Sequence, residues 1–349
     1  MVAPVNGTAD YSVSGAFDRA GEGADDTPLP TVTVITPAYN VESYIGEAVE
    51  SVLGQTFRNF EYLVVDDGSS DKTAEEVRVR SQGDTRLRLI MAEHGGSSNA
   101  RNVALREAKG QFVAFLDGDD RWHPKFLERQ LELLESLGPD VAAVFARSRV
   151  ISETGRLYAF RWQRSGRYDF DDMLIQACPP RCGSSLLVRK RCFDLVGDFT
   201  DQNGNEDINM WLRIQRDTDM RYFWGSSAYL LDLRVRAGAK TRDHRKLFEE
   251  NAALAREFAP ALRRHPEGMA YVRLAVFAFR AGHEDFALAW AKRARQAGLS
   301  RLLADSYGWR LLGWTVLPPA GRRGLRRLAL VARGLIGRIV VRAPGGLLR

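Results

Sequence analysis

Apolar and polar positions alternate between two periods from residue 31 onward. Runs of buried type alternate with stretches whose apolar residues recur every three to four positions, the signature of strands separated by helices. "TVTVITPAYN" (31–40) is β-branched and ends in a Pro-containing turn. In "VESYIGEAVESVLGQTF" (41–57), Val41, Tyr44, Ile45, Ala48, Val49, Val52 and Leu53 fall on one helical face. "FEYLVVDDGSSD" (60–71) reads as a second strand, "KTAEEVRVRSQ" (72–82) as a helix and "RLRLIMAEHGG" (86–96) as a third strand. A helix over "SSNARNVALREAKG" (97–110) and a strand over "QFVAFLDGDD" (111–120) follow. This β-α-β-α-β-α-β order predicts a doubly wound α/β sheet, with a ligand at the carboxyl ends of the strands. Polar residues gather at each of those ends: Thr36, Tyr39 and Asn40, then Asp66 and Asp67, then His94, then Asp117, Asp119 and Asp120.

Beyond residue 120 the pattern predicts a helix over 125–137, a strand over 141–152, a strand and short helix within 182–199, and a helix over 205–219 that opens on two acids. The aromatic stretch 152–182 reads as loops and short strands closing over the site. Past residue 240, helices rich in Ala, Leu and Arg take over, and 271–298 has the look of one helical-hairpin repeat, a weak signal in a single copy. Residues 1–30, rich in Gly, Ala, Asp and Ser, lack a signal-peptide core and read as a disordered leader.

Charge sharpens this division. Residues 1–239 carry 28 Lys and Arg against 36 Asp and Glu, whereas 240–349 carry 22 against 8. Such a basic end suits phosphate-bearing surfaces, and its scattered aromatics favour an anionic membrane over nucleic acid, so no nucleic-acid partner is expected. In 324–342, Leu325, Leu328, Ala332, Leu335, Ile336 and Ile339 oppose Arg326, Arg327, Arg333 and Arg338. That arrangement suits a helix lying on a membrane or one packed on its own domain; the arginines exclude a spanning helix. Cys178, Cys182 and Cys192 lack disulfide or zinc spacing, and the expected location is cytoplasmic, with the basic end as the candidate for peripheral contact at the inner face of the cell membrane.

The candidate chemistry lies in Asp117, Asp119 and Asp120. Carboxylates crowded at the end of an apolar strand repel one another and lose solvation unless a positive charge sits among them. All-oxygen ligands suit Mg²⁺ or Mn²⁺ bridging to a diphosphate; "DGDD" is also ordinary turn chemistry. No Glu completes a calcium-loop spacing.

"TPAYN" (36–40), "VVDDGSSD" (64–71), "GGSSNARNVALREAKG" (95–110), "FLDGDD" (115–120) and "NEDINMWLRI" (205–214) occur in one order. Together they resemble the family-two glycosyltransferases of GT-A fold over roughly residues 31–245, leaving 246–349 as a basic helical region. The resemblance implies an inverting, metal-dependent transfer of one sugar from a UDP-, GDP- or dTDP-sugar to a glycan or lipid-linked acceptor, in building a surface glycan. It places Thr36, Pro37, Tyr39 and Asp67 at the nucleotide base, Arg101 on the nucleotide, Asp117 at the ribose, and Asp119 with Asp120 at the metal. Asp207 becomes the general base and Glu206 its neighbour at the acceptor; taken alone, acids in a first helical turn are explained by the helix dipole, and the upstream "DGDD" favours the catalytic reading. Arg236 and Thr241, in "LRVRAGAKT" (233–241), stand where the family more often has His and Ser against the diphosphate, with a solvated loop as the alternative. The processive members' Q-x-x-R-W segment is absent. A nucleotidyltransferase would want a Gly-rich phosphate loop after the first strand and a dinucleotide oxidoreductase a G-x-G-x-x-G, and neither occurs. A non-enzymatic sugar-nucleotide binder is the remaining alternative.

Overall fold

The computed structural model describes residues 29–175, 182–200, 205–236, 244–263, 270–271, 274–275 and 284–296. Thr241, the expected leader up to residue 28 and the helix expected over 324–342 lie outside the described residues.

The first half follows the periodicities. Strands β1 (Val32–Ala38), β2 (Phe60–Asp66), β3 (Leu87–Met91) and β4 (Phe112–Phe115) alternate with helices α1 (Ile45–Leu53), α2 (Thr73–Ser81) and α3 (Gly96–Glu107). The four strands are parallel, in the order β3-β2-β1-β4. β1 is buried almost throughout, as expected of a strand covered on both faces. Its Ile35 faces one apolar layer, while Val32 and Val34 face the other.

After β4 come β5 (Arg121–Trp122), α4 (Phe126–Ser136), β6 (Val141–Ile151), β7 (Leu157–Arg161), β8 (Gly166–Tyr168), α5 (Phe170–Ile175), β9 (Leu186–Arg189), α6 (Arg191–Val196), α7 (Glu206–Asp217) and β10 (Tyr222–Arg234). They extend the sheet as β4-β9-β6-β10-β5. β9 runs antiparallel between β4 and β6, and β10 runs parallel to β6. The long strand β10 has no counterpart among the predicted elements. Gly225, Ser226, Ser227 and Ala228 interrupt its apolar run, and its register against β6 shifts across that interval.

Helices α1, α2 and α4 cover one face with Ile45, Val49, Val77, Phe126 and Leu134. On the other face lie α3 and α5–α7, and Trp211 of α7 is fully buried among Phe115, Phe193, Phe199 and Phe223 at ring separations of 5.9–6.4 Å. Helices α8 (His244–Phe258) and α9 (Glu284–Gln296) add Leu254, Ala255, Phe258, Ala287 and Trp290 to that same apolar cluster.

Candidate active site

The chain winds outward from β1 through β2 to β3, then returns to place β4 on the other side of β1. At such a reversal the connections leave the sheet in opposite directions and open a crevice at the strand ends, here beyond Ala38 and Phe115.

Along the β1 rim, Thr36 is fully buried, with its hydroxyl 3.0 Å from the Tyr62 hydroxyl, so its side chain belongs to the core. Pro37 is half-buried, and Tyr39 emerges 45% exposed, stacked on His94 with ring centroids 4.2 Å apart. Asp67 accepts the backbone N–H groups of Gly95 (2.8 Å) and Gly96 (2.9 Å), and its Oδ2 lies 2.9 Å from His94 Nδ1. Gly96, at φ +84°, occupies a backbone region that suits glycine. Asp67 thus holds the start of α3 from the end of β2. His94, unassigned by its spacing in the sequence, supports both Tyr39 and Asp67.

One turn into α3, the buried Arg101 meets three carboxylates. Its Nη2 donates to Asp117 Oδ1 at 3.0 Å, and its Nη1 lies 3.2 Å from Glu206 Oε1 and 3.0 Å from Asp207 Oδ1. These acids come from the ends of β4 and the first turn of α7, so one guanidinium ties both halves of the chain across the crevice. The Ser97 hydroxyl also donates to Glu206 Oε1, at 2.7 Å.

Asp207 Oδ2 accepts the Gly183 N–H at 2.8 Å, whereas Oδ1 makes the ion-pair contact with Arg101 and, among the described residues, has no hydrogen bond of regular geometry. Burial pushes the Asp207 carboxyl up to about 6, against the opposing pull of Arg101 and with further upward pressure from Glu206 and Asp117. A carboxylate so poised is ionised at neutral pH and still basic enough to take a proton as a bond forms.

In the turn after β4, the Asp117 N–H donates to Ser184 Oγ at 3.0 Å. Asp119 Oδ2 accepts Arg236 Nε at 2.6 Å. Asp120 turns inward, 1% exposed, and its Oδ1 accepts the Arg234 N–H at 2.8 Å. Burial raises the Asp119 and Asp120 carboxyls, most strongly that of Asp120, and their acidic neighbours raise both further. Even beside Arg236 the turn is therefore short of positive charge, which fits a cation. Among the described residues no three acidic, His or Cys side chains gather as a complete metal-ligand set, so any metal here would take other ligands from a bound diphosphate or water.

Arg234 and Arg236, from the end of β10, complete the turn. The Arg234 guanidinium is buried: Nε donates to the Asp119 carbonyl at 2.8 Å, Nη2 lies 2.9 Å from Glu47 Oε2, and Nη1 donates to the carbonyls of Ser152 (3.3 Å) and Glu153 (2.7 Å). No motif or spacing in the sequence marks Arg234 for this role. Cys182 borders the same crevice, where burial and the charges of Asp120 and Asp117 push its thiol up, away from the reactive thiolate.

Known proteins resemble this chain in sequence and in fold. The signature of the family described as glycosyl transferase family 2 matches residues 33–197. A UDP-Glc:alpha-D-GlcNAc-diphosphoundecaprenol beta-1,3-glucosyltransferase, WfgD of Escherichia coli, is 33% identical over 190 residues, 54% of this chain and 71% of that protein. The putative teichuronic acid biosynthesis glycosyltransferase TuaG of Bacillus subtilis is 43% identical over 106 residues, 30% of this chain and 42% of that protein. An uncharacterized glycosyltransferase of Rickettsia bellii is 29% identical over 195 residues, 54% of this chain and only 28% of its own length. Among solved structures, TarS of S. aureus in complex with UDP-GlcNAc superposes with a TM-score of 0.56 at 19% identity, covering 76% of this chain and 81% of that one. The mannosyltransferase PcManGT of Pyrobaculum calidifontis, in complex with GDP-Man and Mn²⁺, gives 0.52 at 23% identity, covering 88% of each. The fold is that of the GT-A glycosyltransferases.

Proposed function

The chain belongs to glycosyl transferase family 2, and we propose that it moves one sugar from a nucleoside-diphosphate donor to an acceptor hydroxyl with inversion, in the assembly of a surface polysaccharide or glycoconjugate. The observation that carries this reading is the three-carboxylate grip of Arg101, which fixes the donor-side Asp117 and the acid pair Glu206 and Asp207 around one cleft.

In this reading the donor's base lies along the rim of Tyr39 and Asp67, with its ribose near Asp117. Asp119 would hold Mg²⁺ or Mn²⁺, and Asp120 would support the turn from behind through the Arg234 N–H. When bound, the metal supplies charge to the departing diphosphate. Arg236, released from Asp119, suits the same diphosphate because a guanidinium pairs with phosphate oxygens bidentately. On the opposite side, Asp207 would take the proton of the acceptor hydroxyl as it attacks the anomeric carbon. Arg101 would keep Asp207 in place and favour its ionised form, against the opposing charge of Glu206. Support for a nucleotide-sugar donor also comes from the relatives, since TarS was solved with UDP-GlcNAc and PcManGT with GDP-Man and Mn²⁺. A lipid-linked glycan acceptor agrees with the diphosphoundecaprenol substrate in the name of the E. coli relative.

Release of nucleoside diphosphate from a panel of sugar donors, with Mn²⁺ and acceptor, tests the proposal. Asp207→Asn is expected to lower turnover by about 10²–10⁴-fold, the range for general acid–base catalysis, while donor binding changes little. Unchanged turnover would remove Asp207 from the mechanism.

A further inference from the structure

The hairpin of β6 and β7 differs sharply in charge from the acidic half of the chain that contains it. From Val141 to Tyr168 there are six arginines (147, 149, 156, 161, 164 and 167) against one acid, Glu153. Strand β7 carries Tyr158 (81% exposed) and Phe160 (59%), and Trp162 (65%) follows directly. Phe160 and Trp162, two positions apart, share one face of the extended chain, and Tyr158 lies where the register against β6 shifts. Phe160 packs edge-on against Tyr229 at 5.2 Å, and the Arg147 guanidinium lies 5.5 Å from the centre of the Trp162 ring and 5.7 Å from that of Tyr229. Among the described residues, β7 pairs only with β6, and Arg147, Arg156 and Arg161 have no carboxylate partner.

Three exposed aromatics in five residues are costly to leave in water and contribute little to the fold, so they point to a surface that covers them. Tyr and Trp beside arginine suit the headgroup region of a bilayer, where the rings reach the acyl boundary and the guanidinium groups meet lipid phosphates. A second copy of this chain is disfavoured, because pairing β7 edge to edge would bring the two sets of arginines together. We propose that the β6–β7 hairpin is a docking surface for an anionic phospholipid membrane.

The hairpin is also joined to the crevice. Its turn supplies the Ser152 and Glu153 carbonyls that receive Arg234, and Arg234 in turn holds the Asp119 carbonyl. Seating the hairpin on lipid therefore fixes the donor turn relative to the membrane plane. The binding proposal is independent of the transfer reaction and is tested without it.

Full-length protein is sedimented with vesicles of phosphatidylglycerol and phosphatidylcholine, and with phosphatidylcholine alone. Binding is expected to require the anionic lipid. The triple change Tyr158→Ser, Phe160→Ser, Trp162→Ser is expected to raise the lipid concentration for half-binding by at least about tenfold, leaving the far-ultraviolet spectrum and unfolding midpoint unchanged. Trp162→Phe keeps the apolar face and is expected to bind like the native chain, while losing a component of tryptophan quenching by brominated lipid. The proposal is overturned if the native chain ignores anionic vesicles, if the triple variant binds them as tightly as the native chain, or if brominated lipid quenches native and Trp162→Phe protein equally. It is overturned as well if the triple change alters only the oligomeric state in solution.

Discussion

Arg101 is the residue on which the site's electrostatics turn. Buried charges persist when they are paired, and removing one partner leaves the others uncompensated at a cost of about 3–5 kcal/mol. Arg101→Met strands Asp117, Glu206 and Asp207 together and is expected to destabilise the protein by that amount, measured as a fall in the denaturant midpoint at unchanged slope. Asp207 gives a second prediction at this scale. Its pKa in the folded protein, about 6, lies above the ordinary 3.8, so the proton is held more tightly and ionisation is completed only above that value. If the ionised form is the base, kcat/KM rises with pH through an apparent pKa near 6 and falls away below it. The sign for stability is the reverse: raised above its unfolded value, this carboxyl favours the folded state most below pH 3.8, and that contribution is lost as pH rises through about 6. An activity profile flat between pH 5 and pH 7.5 would contradict the assignment. The sequence placed Asp117, Glu206 and Asp207 through motif resemblance, but the grip of one guanidinium on all three was not legible there. It depends on how α3 and α7 pack across the sheet.

At the scale of elements, the periodic signal was strongest where local pattern and tertiary burial agree. β1 through β4 are apolar runs in a covered parallel sheet, and Ile45, Ala48, Val49 and Val52 line α1 at the spacing its buried face requires. β10 escaped because its pairing partner β6 lies some 80 residues earlier and the Gly-Ser-Ser stretch breaks its alternation. Arg234 was illegible for the same reason. An arginine closing a strand usually reaches water, yet here Glu47 of α1, the β6–β7 turn and the Asp119 carbonyl enclose it. We expect Arg234 to act as a positioning residue. Arg234→Met should weaken Mn²⁺ binding in the presence of nucleoside diphosphate by about tenfold or more, as loss of supporting shells does at metal sites, with a smaller effect on nucleotide binding without metal. Equal loss with and without Mn²⁺ would mark a purely structural role.

For the whole molecule, the sheet reversal at β1 and β4 explains why acids far apart in sequence share a crevice. β4 delivers Asp117 and Asp119, while β9, β10 and α7 bring Gly183, Arg236 and Asp207 around it from the second half. Among the described residues no helix is long and apolar enough to cross a membrane; the basic hairpin offers lipid contact by another route. The most direct test of this shared crevice is the anomalous-scattering position of Mn²⁺ in crystals grown with a nucleoside diphosphate. The ion is expected bonded to Asp119 and the diphosphate, with Arg236 turned from Asp119 onto the phosphates and Asp207 facing them from across the cleft. Manganese bound elsewhere, or a nucleotide seated away from the ends of β1 and β4, would contradict it.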